Sequence, residues 1–251
     1  MNESPIIFCR EWAIAAALTV YLTPAYSCPV TAVYGLSQLV CVLEEYPHTP
    51  VVLGLRPHEH VEDLYRLQPL LVGRAVLFVG RCFYWTDYTL PEWLGLEQYR
   101  FCSWDTMEDP FSRRMELRRF KQFSADIQKD DRPGGKTRRP VPVLSAMTTI
   151  KILERANRWL YRELSAAGLT GYEVRVLSLM TEGQSGNLPS RTRSLHKNNG
   201  LRKLGMTKHV MNLYKGVRVR LALQATLPLQ AEESGTAGTT NLPPFSQKAG
   251  W

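Results

Sequence analysis

The first half of the chain alternates short apolar runs with helical stretches, and this alternation constrains the fold more than any other feature. Apolar runs of strand length occur at 5–9, 30–34, 50–55, 75–79 and 99–104, and helices are predicted at 11–22, 36–45 and 59–71. The runs at 50–55 and 75–79 are continuously apolar, which is typical of strands covered by helices on both faces. The sequence therefore predicts a small, doubly wound α/β domain with a parallel sheet over residues 1–110.

The charge is divided unevenly along the chain. The 251 residues include 31 Lys and Arg against 23 Asp and Glu, which is a net charge of +8. Residues 1–110 hold 6 basic and 13 acidic side chains, whereas residues 111–230 hold 24 basic and 8 acidic ones. An acidic half followed by a strongly basic half indicates that the second half meets a polyanion.

The composition of the second half divides it into three further parts. The segment at 111–123 is basic, and its apolar residues Phe111, Met115, Phe120 and Phe123 lie only loosely at helical spacing. Gly and Pro pairs follow at 129–142, so a basic linker is predicted at 111–145. An amphipathic helix is predicted at 147–164, within a helical domain at 146–228. Residues 229–251 are low in core-forming side chains and are predicted to be a disordered tail.

Five cysteines lie in the first half without any C-x-x-C pair, which favours buried thiols in a reduced cytosolic protein. An apolar segment at 12–22, followed by Ala25 to Cys28, superficially resembles a signal peptide with a lipidated cysteine. However, Glu3 and Glu11 offset Arg10, and eleven residues are too few to span a bilayer. We interpret the segment as a buried first helix and expect a cytoplasmic protein.

Three helices are predicted after the helix at 147–164. Thr170 and Glu173 have the spacing of a capping box, so the first helix begins at Gly171 and ends near Gly183. The second is capped by Ser190 and ended by Gly205, and the third begins at Thr207 and continues through Val217. The second helix is nearly bare of large apolar residues. Its predicted inward stripe consists of Leu195, Leu201 and Leu204.

These segments resemble the LuxR/FixJ-type (NarL-type) helix-turn-helix domain of bacterial transcription regulators. The opening of that domain is matched by Leu169, Thr170, Glu173, Val176, Leu177 and Gly183. Its recognition helix is matched by Thr192, His196, Lys197, Lys203, Leu204, Gly205 and Met206. One departure is clear: only four residues separate Gly183 from Leu188, where the family places the scaffold helix, so about seven residues are missing.

The resemblance implies a regulator that binds double-stranded DNA through the segment at 190–204. Side chains near the start of a recognition helix reach base edges in the major groove, and other cations contact phosphates. The predicted groove-facing residues are Arg191, Arg193, Ser194 and Lys197, with Asn198 as a possible adenine contact. The predicted phosphate contacts are Thr192, His196, Arg202 and Lys203. A solvated basic face is the alternative interpretation.

The first half resembles a receiver domain, which precedes the DNA-binding domain in many such regulators. Receivers carry a phosphorylated Asp after the third strand and an acidic pair after the first. Here Gly54 follows the third apolar run, and Arg10-Glu11 follows the first. Glycine cannot accept a phosphoryl group or bind a hard cation, so no phosphorylation site is predicted.

The degenerate receiver resembles auxiliary regulators of enteric bacteria, such as those that pair with an Rcs-type response regulator. This resemblance implies a homodimer or a heterodimer with a related response regulator. Because the scaffold helix is shortened, a second hypothesis remains open. The protein would then bind another regulator and alter its promoter choice with little DNA contact of its own.

The remaining candidate sites are weaker. His58, Glu59 and His60 are adjacent and do not converge on one ion, so they are interpreted as a surface cluster and no metal site is predicted. An aromatic group could form a ligand cage, a protein interface or ordinary core; it consists of Phe83, Tyr84, Trp85, Tyr88 and Trp93. No motif for an enzyme or a nucleotide cofactor is found, and no catalytic residue, cofactor or membrane contact is predicted.

Overall fold

A five-stranded, fully parallel sheet forms the centre of the first half. The computed structural model describes residues 4–26, 29–130, 147–181, 184, 187–206 and 217–224. The strands are β1 (Ile6–Phe8), β2 (Thr31–Val33), β3 (Val51–Leu53), β4 (Val76–Gly80) and β5 (Tyr99–Ser103). Their spatial order is β2-β1-β3-β4-β5, and every neighbouring pair is parallel. This is the flavodoxin-like order of a receiver-like α/β domain, and it confirms the predicted fold of the first half.

Six helices accompany the sheet. They are α1 (Trp12–Leu22), α2 (Leu36–Glu45), α3 (Val61–Leu71), α4 (Trp85–Trp93), α5 (Trp104–Glu108) and α6 (Pro110–Asp130). Along each central strand, alternate side chains enter two different cores: Ile6 and Phe8 face α2 and α3, whereas Ile7 faces α1 and α6. Both faces of the sheet are thus covered, which explains the continuously apolar strands.

Helix α6 is a correction to the predicted linker at 111–145. Its Leu117 and Phe120 are buried in the same core as Leu18 and Leu77, so α6 completes the cover on one face of the sheet. The basic composition concealed this helix: Leu117 and Phe120, with the partly buried Phe123 and Ile127, form its inner face, while cations occupy the outer one. The predicted linker between 131 and 145 lies outside the described residues.

Two helices of the second half form where they were predicted, and the first of them packs on the α/β domain. Helix α7 (Thr149–Ala166) confirms the helix predicted at 147–164. Its Ile152, Leu153, Ala156 and Leu160 pack with Val61 of α3 and Leu90 of α4. Helix α8 (Gly171–Thr181) begins at the predicted residue. Gly168, between them, has φ of +79°, which allows the sharp end of α7.

Helix α9 (Ser190–Lys203) differs from its prediction in two details. Pro189 occupies the N-cap position and Ser190 is the first helical residue, so Ser190 is not the cap. Leu195 is 57% exposed and does not belong to the inward stripe, whereas Leu201 and Leu204 pack inward as predicted. Gly205 ends the helix with φ of +67°, as expected. Residues 207–216 of the third predicted helix and the tail at 229–251 lie outside the described residues, whereas Val217 at the end of that predicted helix is buried.

Two of the described cysteines are buried as expected, and two are not. Cys9 and Cys102 are buried thiols, but Cys41 is exposed and Cys82 is half-buried; Cys28 lies outside the described residues. Helix α1 packs on the sheet through Ala15, Leu18 and Leu22. Among the described residues, no helix combines the length and apolarity needed to cross a membrane.

Candidate functional site

Helix α9 is held against α8 by a close backbone approach. A Cβ added at Gly200 would lie 2.9 Å from Cδ1 of Leu177, a fully buried residue of α8. Leu201 and Leu204 extend this contact into a small core with Leu164 and Val217. Because Gly200 has no side chain, the two helices approach closely over the middle of their contact.

An ion pair connects the same two helices about one turn further along α9. The Nζ of Lys203 donates to Oε2 of Glu173 (2.8 Å) and to the carbonyl oxygen of Gly168 (2.9 Å). Glu173 also accepts from the backbone N–H of Thr170, whose hydroxyl accepts from the Glu173 N–H, which confirms the predicted capping box. Burial opposes ionisation of Glu173, but the hydrogen bonds from Lys203 and Thr170 outweigh it and lower the pKa of the carboxyl.

The solvent side of α9 presents a stripe that is polar except for one leucine. These positions are spaced i, i+3, i+4, i+7 and i+11, so they share one face of the helix. We call them the outer face of α9, and they are Arg191, Ser194, Leu195, Asn198 and Arg202. All five are exposed, and among the described residues neither arginine has an ion-pair partner.

The other predicted DNA contacts lie on the flanks of α9 or face α8. Thr192, Arg193, His196 and Lys197 are half-buried. The imidazole of His196 stacks on the ring of Tyr172 in α8, with centroids 5.6 Å apart and an interplanar angle of 19°. His196 and Lys203 therefore have partners within the helix pair. Leu195 was predicted to face the core but belongs to the outer face.

The first turn of α9 carries positive charge, which is unfavourable at the N-terminus of a helix. Its first turn contains Arg191 and Arg193 and no acidic residue. The N-terminus of a helix carries a partial positive charge, so cations there repel the dipole and an anion would relieve the repulsion. The start of α9 is therefore suited to a polyanion.

The connection from α8 to α9 is short. Eight residues separate Thr181 from Ser190. Of these, Gln184 and residues 187–189 are described and none is helical. The backbone N–H of Gln184 donates to the carbonyl of Leu179, which ends α8 with a turn. The described part of this connection contains no scaffold helix.

The carboxyl edge of the sheet holds the residues that correspond to the predicted receiver site. Gly54 directly follows β3, and a Cβ added there would lie 2.9 Å from both Cβ and Sγ of Cys9, which directly follows β1. The thiol of Cys9 donates to the Gly54 carbonyl (3.4 Å), and burial raises its pKa, so it stays protonated at neutral pH. The space that an acceptor side chain needs is filled by Cys9.

Beside Gly54, a second glycine has a similar position. A Cβ added at Gly80, the last residue of β4, would lie 3.0 Å from the ring of Phe83 and 3.1 Å from Cγ of Arg56. The Arg56 guanidinium pairs with Glu59 and lies 5.8 Å from the centroid of Tyr84. The side chains at this edge of the sheet therefore pack against and pair with one another. In the described part of the chain, no group of His, Cys, Asp or Glu residues is arranged to hold a metal ion.

His58 corrects the interpretation of residues 58–60 as a surface cluster. It is 1% exposed, and both its backbone N–H and its Nδ1 lie 2.8 Å from Oδ1 of buried Asp87. Asp87 also accepts from the N–H of Tyr84 at the start of α4 (2.7 Å). His58 thus joins the end of β3 to α4, and its carbonyl accepts from Nε2 of Gln224 (2.9 Å).

The aromatic group largely forms internal contacts. Phe83 and Tyr88 pack edge-on against Phe101 of β5, with centroids 4.8 and 4.7 Å away, and Trp93 stacks on Tyr65 of α3. Trp85 touches the clusters around α7 and α8. A ligand cage, a protein interface and ordinary core packing were the three interpretations of this group. The contacts observed support core packing, with Trp85 at the contact with α7.

Comparisons with known proteins give structural neighbours only. No protein-family model and no curated protein matches the sequence. Full-length FixJ from B. japonicum is 14% identical, with a TM-score of 0.38, over 86% of this chain and 96% of that one. The response regulator StyR is 17% identical, with a TM-score of 0.34, over 85% of this chain and 98% of that one.

Proposed function

We propose that this protein is a cytoplasmic, DNA-binding transcription regulator of the LuxR/FixJ type that acts as a dimer without phosphorylation control. The observation that carries the proposal is the outer face of α9. It presents Arg191, Ser194, Asn198 and Arg202 to solvent from a helix that is fixed on α8 by Gly200 and the ion pair of Lys203.

The surroundings of α9 favour a polyanion. No Asp or Glu occurs between Glu182 and Glu232, whereas nine Lys and Arg residues do. Nonspecific attraction to phosphates would come from these cations, and sequence preference from the outer face. In this arrangement Arg191 and Asn198 lie toward base edges, with Leu195 toward a thymine methyl group, and Arg202 contacts the backbone. Arg193 and Lys197, on the flanks, contact phosphates on either side.

The carboxyl edge of the sheet supports the absence of phosphorylation control. The position of Gly54 offers no carboxylate and no space for one. The α/β domain then acts through a partner, and a dimer would present two copies of α9 to two half-sites on DNA. Control would depend on which partner binds.

The proposal is tested by the salt dependence of DNA binding with the full-length protein. Fluorescence anisotropy on a mixed-sequence duplex of about three helical turns should show a linear fall of log K with log salt. Arg202→Ala and Lys197→Ala should each reduce that slope by about 1. Arg66→Ala, which removes an exposed arginine from α3, is the matched control and should leave the slope unchanged.

Sequence preference requires a separate measurement. Selection of bound duplexes from a random pool should give a preferred site for the wild type. Asn198→Ala should relax the preference at one position of each half-site, by about 1–3 kcal/mol against the wrong base. Unchanged slopes in both cation variants, or an unchanged selected site, would contradict the placement of α9 on DNA.

The short connection between α8 and α9 favours a second candidate function. Without a scaffold helix across the phosphates, the protein would act mainly by binding another regulator and changing its promoter choice. Gel-shift assays of the protein alone, and then with a related response regulator, separate the two functions. A shift that requires the second protein and is insensitive to Arg202→Ala supports the second candidate.

A further inference from the structure

A groove of about 930 Å³ runs between α1 and α6 on the outer side of the α/β domain. One wall includes Val20, Tyr21 and Pro24, and the other includes Arg114, Leu117 and Arg118. We call this surface the α1–α6 groove. Helix α7 packs on α3 and α4, and these lie on the opposite face of the sheet, so α7 leaves the groove open.

The α1 wall is unusual for a helix that borders solvent. Helix α1 has no charged residue in its eleven positions, yet Val20, which lines the groove, is 68% exposed. Trp12, at the start of the helix and outside the groove lining, is 72% exposed. Surface helices normally carry polar side chains on their outer face. An exposed apolar helix beside a groove marks a surface that another molecule covers.

The α6 wall supplies positive charge. Arg113 lies over the ring of Tyr21, 4.3 Å from its centroid, and Lys121 donates to the carbonyl of Ala25 (2.9 Å), so both are folded into the walls. Arg114 and Arg118 are exposed one helical turn apart and have no ion-pair partner among the described residues. Among the described residues, no acidic side chain lines the groove.

We propose that the α1–α6 groove binds an acidic amphipathic helix of another protein. The apolar side chains of that helix lie between α1 and Leu117, and its carboxylates pair with Arg114 and Arg118. Since these arginines are four positions apart on one helix, two Glu residues four positions apart on the partner match them. This surface does not depend on DNA binding by α9.

Charge decides against a second copy of this chain as the occupant. A two-fold contact through the groove would place the same surface on both sides and bring the arginines of the two copies together. Like charges across an interface disfavour association, whereas an acidic helix is complementary.

The full-length protein is tested with a designed probe. The probe is a fluorescein-labelled helical peptide of about 18 residues with a Leu and Ala face flanked by Glu pairs at i and i+4. A matched peptide carries Lys in place of each Glu. The wild type should bind the Glu peptide saturably and about tenfold more tightly than the Lys peptide.

Charge reversal locates the binding site. The double variant Arg114→Glu, Arg118→Glu should lose about tenfold in affinity for the Glu peptide and gain affinity for the Lys peptide. Arg119→Glu reverses a charge on the same helix outside the groove, where Arg119 pairs with Glu116, and should leave the peptide preference unchanged. Val20→Glu, at an exposed position, should also weaken binding of the Glu peptide.

Three results would overturn the proposal. The first is equal affinity for the two peptides, or affinity that the double variant does not change. The second is self-association of the wild type in sedimentation velocity that Val20→Glu abolishes, which would assign the groove to a second copy. The third is binding to vesicles of phosphatidylserine and phosphatidylcholine that the double variant loses, without peptide binding, which would assign the groove to a lipid surface.

Discussion

Two glycines, Gly54 at the carboxyl edge of the sheet and Gly200 in α9, allow close approaches of the same kind with different consequences. At Gly54 the neighbour is Cys9 of the adjacent strand end, and the approach fills the place where a receiver would have its acceptor. At Gly200 the neighbour is Leu177, and the approach fixes a basic helix with its outer face free. Close packing at Gly54 leaves no space for a phosphoacceptor side chain, whereas close packing at Gly200 holds the outer face of α9 in position.

The apolar clusters next to these two glycines differ in size. The sheet is covered on two faces by large apolar clusters, and α6 belongs to one of them. The pair of α8 and α9 rests on a smaller cluster, with five buried residues in the described part of the chain. We therefore expect the largest losses of stability from substitutions under the sheet.

Phe120→Ala should show the largest effect, because Phe120 is fully buried between α6 and the sheet. Removing a buried aromatic side chain lowers the free energy of unfolding by about 3–5 kcal/mol. Urea unfolding followed by circular dichroism measures the loss. Phe111→Ala, on the same helix but 74% exposed, should change it by less than about 0.5 kcal/mol. Equal effects of the two substitutions would place α6 outside the core.

Gly54→Asp restores the residue type of a phosphoacceptor and should fail to restore its function. Its Cβ would overlap Cys9, and the carboxylate would enter a packed edge, so the free energy of unfolding should fall by about 1–3 kcal/mol. Incubation with acetyl phosphate and Mg²⁺ should not label the variant. Gly35→Asp is the control: it lies at the N-cap of α2, meets no neighbour in the part of the chain that the structure describes, and should be neutral or stabilising.

Gly200→Leu should separate α9 from α8. The added side chain would meet Leu177, and overpacking of this kind lowers stability by about 1–3 kcal/mol. We expect DNA affinity in the anisotropy assay to fall as well, since the outer face loses its fixed position. Gly171→Leu, at the start of α8, meets no neighbour among the described residues and serves as the matched substitution. Preserved DNA binding in Gly200→Leu would show that the helix pair does not position the outer face.

The smallest expected effect is the pH dependence of the Glu173 ion pair. The pKa of Glu173 is lower in the folded state than its usual value of 4.5, so its charge stabilises the fold above that pH. This contribution is lost as the pH falls through the folded-state pKa. Glu173→Gln retains an acceptor for the cap but no charge, and should be less stable at pH 7 by up to about 1 kcal/mol.

Urea unfolding of the wild type and Glu173→Gln at several pH values tests this prediction. The difference between the two proteins should shrink below pH 4.5. A difference that stays constant down to acid pH would mean that the capping hydrogen bond, and not the charge of Glu173, stabilises the helix pair.

Much of the architecture could be predicted from local patterns. The continuous apolar runs at β3 and β4 indicated a sheet buried on both faces, and the Thr170 to Glu173 spacing located the start of α8. Helices α4 and α5 were not predicted, since α4 contains Pro91 and few periodic apolar residues, and α5 is only five residues long. Helix α6 was interpreted as a linker because its apolar residues lie only loosely at helical spacing among many cations.

The sequence identified the segment that forms the candidate interface, but not which of its side chains are exposed. The basic residues of α9 could be found from charge and from the resemblance to a recognition helix. Their division into outer face and flanks could not, because Leu195 and Leu201 are the same residue type. Only the position of α8 decides that Leu201 packs inward and Leu195 lies in solvent.

The sequence by itself determined the parallel α/β sheet, the glycine at the end of β3 and the concentration of positive charge in the second half. These depend on residue type and on spacing along the chain, which local sterics and burial translate directly into structure. The tertiary structure decided that α6 covers the sheet, that His58 is buried on Asp87 and that Arg191, Asn198 and Arg202 share the exposed side of α9. Each of these depends on which surfaces come together from distant parts of the chain, and burial is decided by that contact and not by the residue alone.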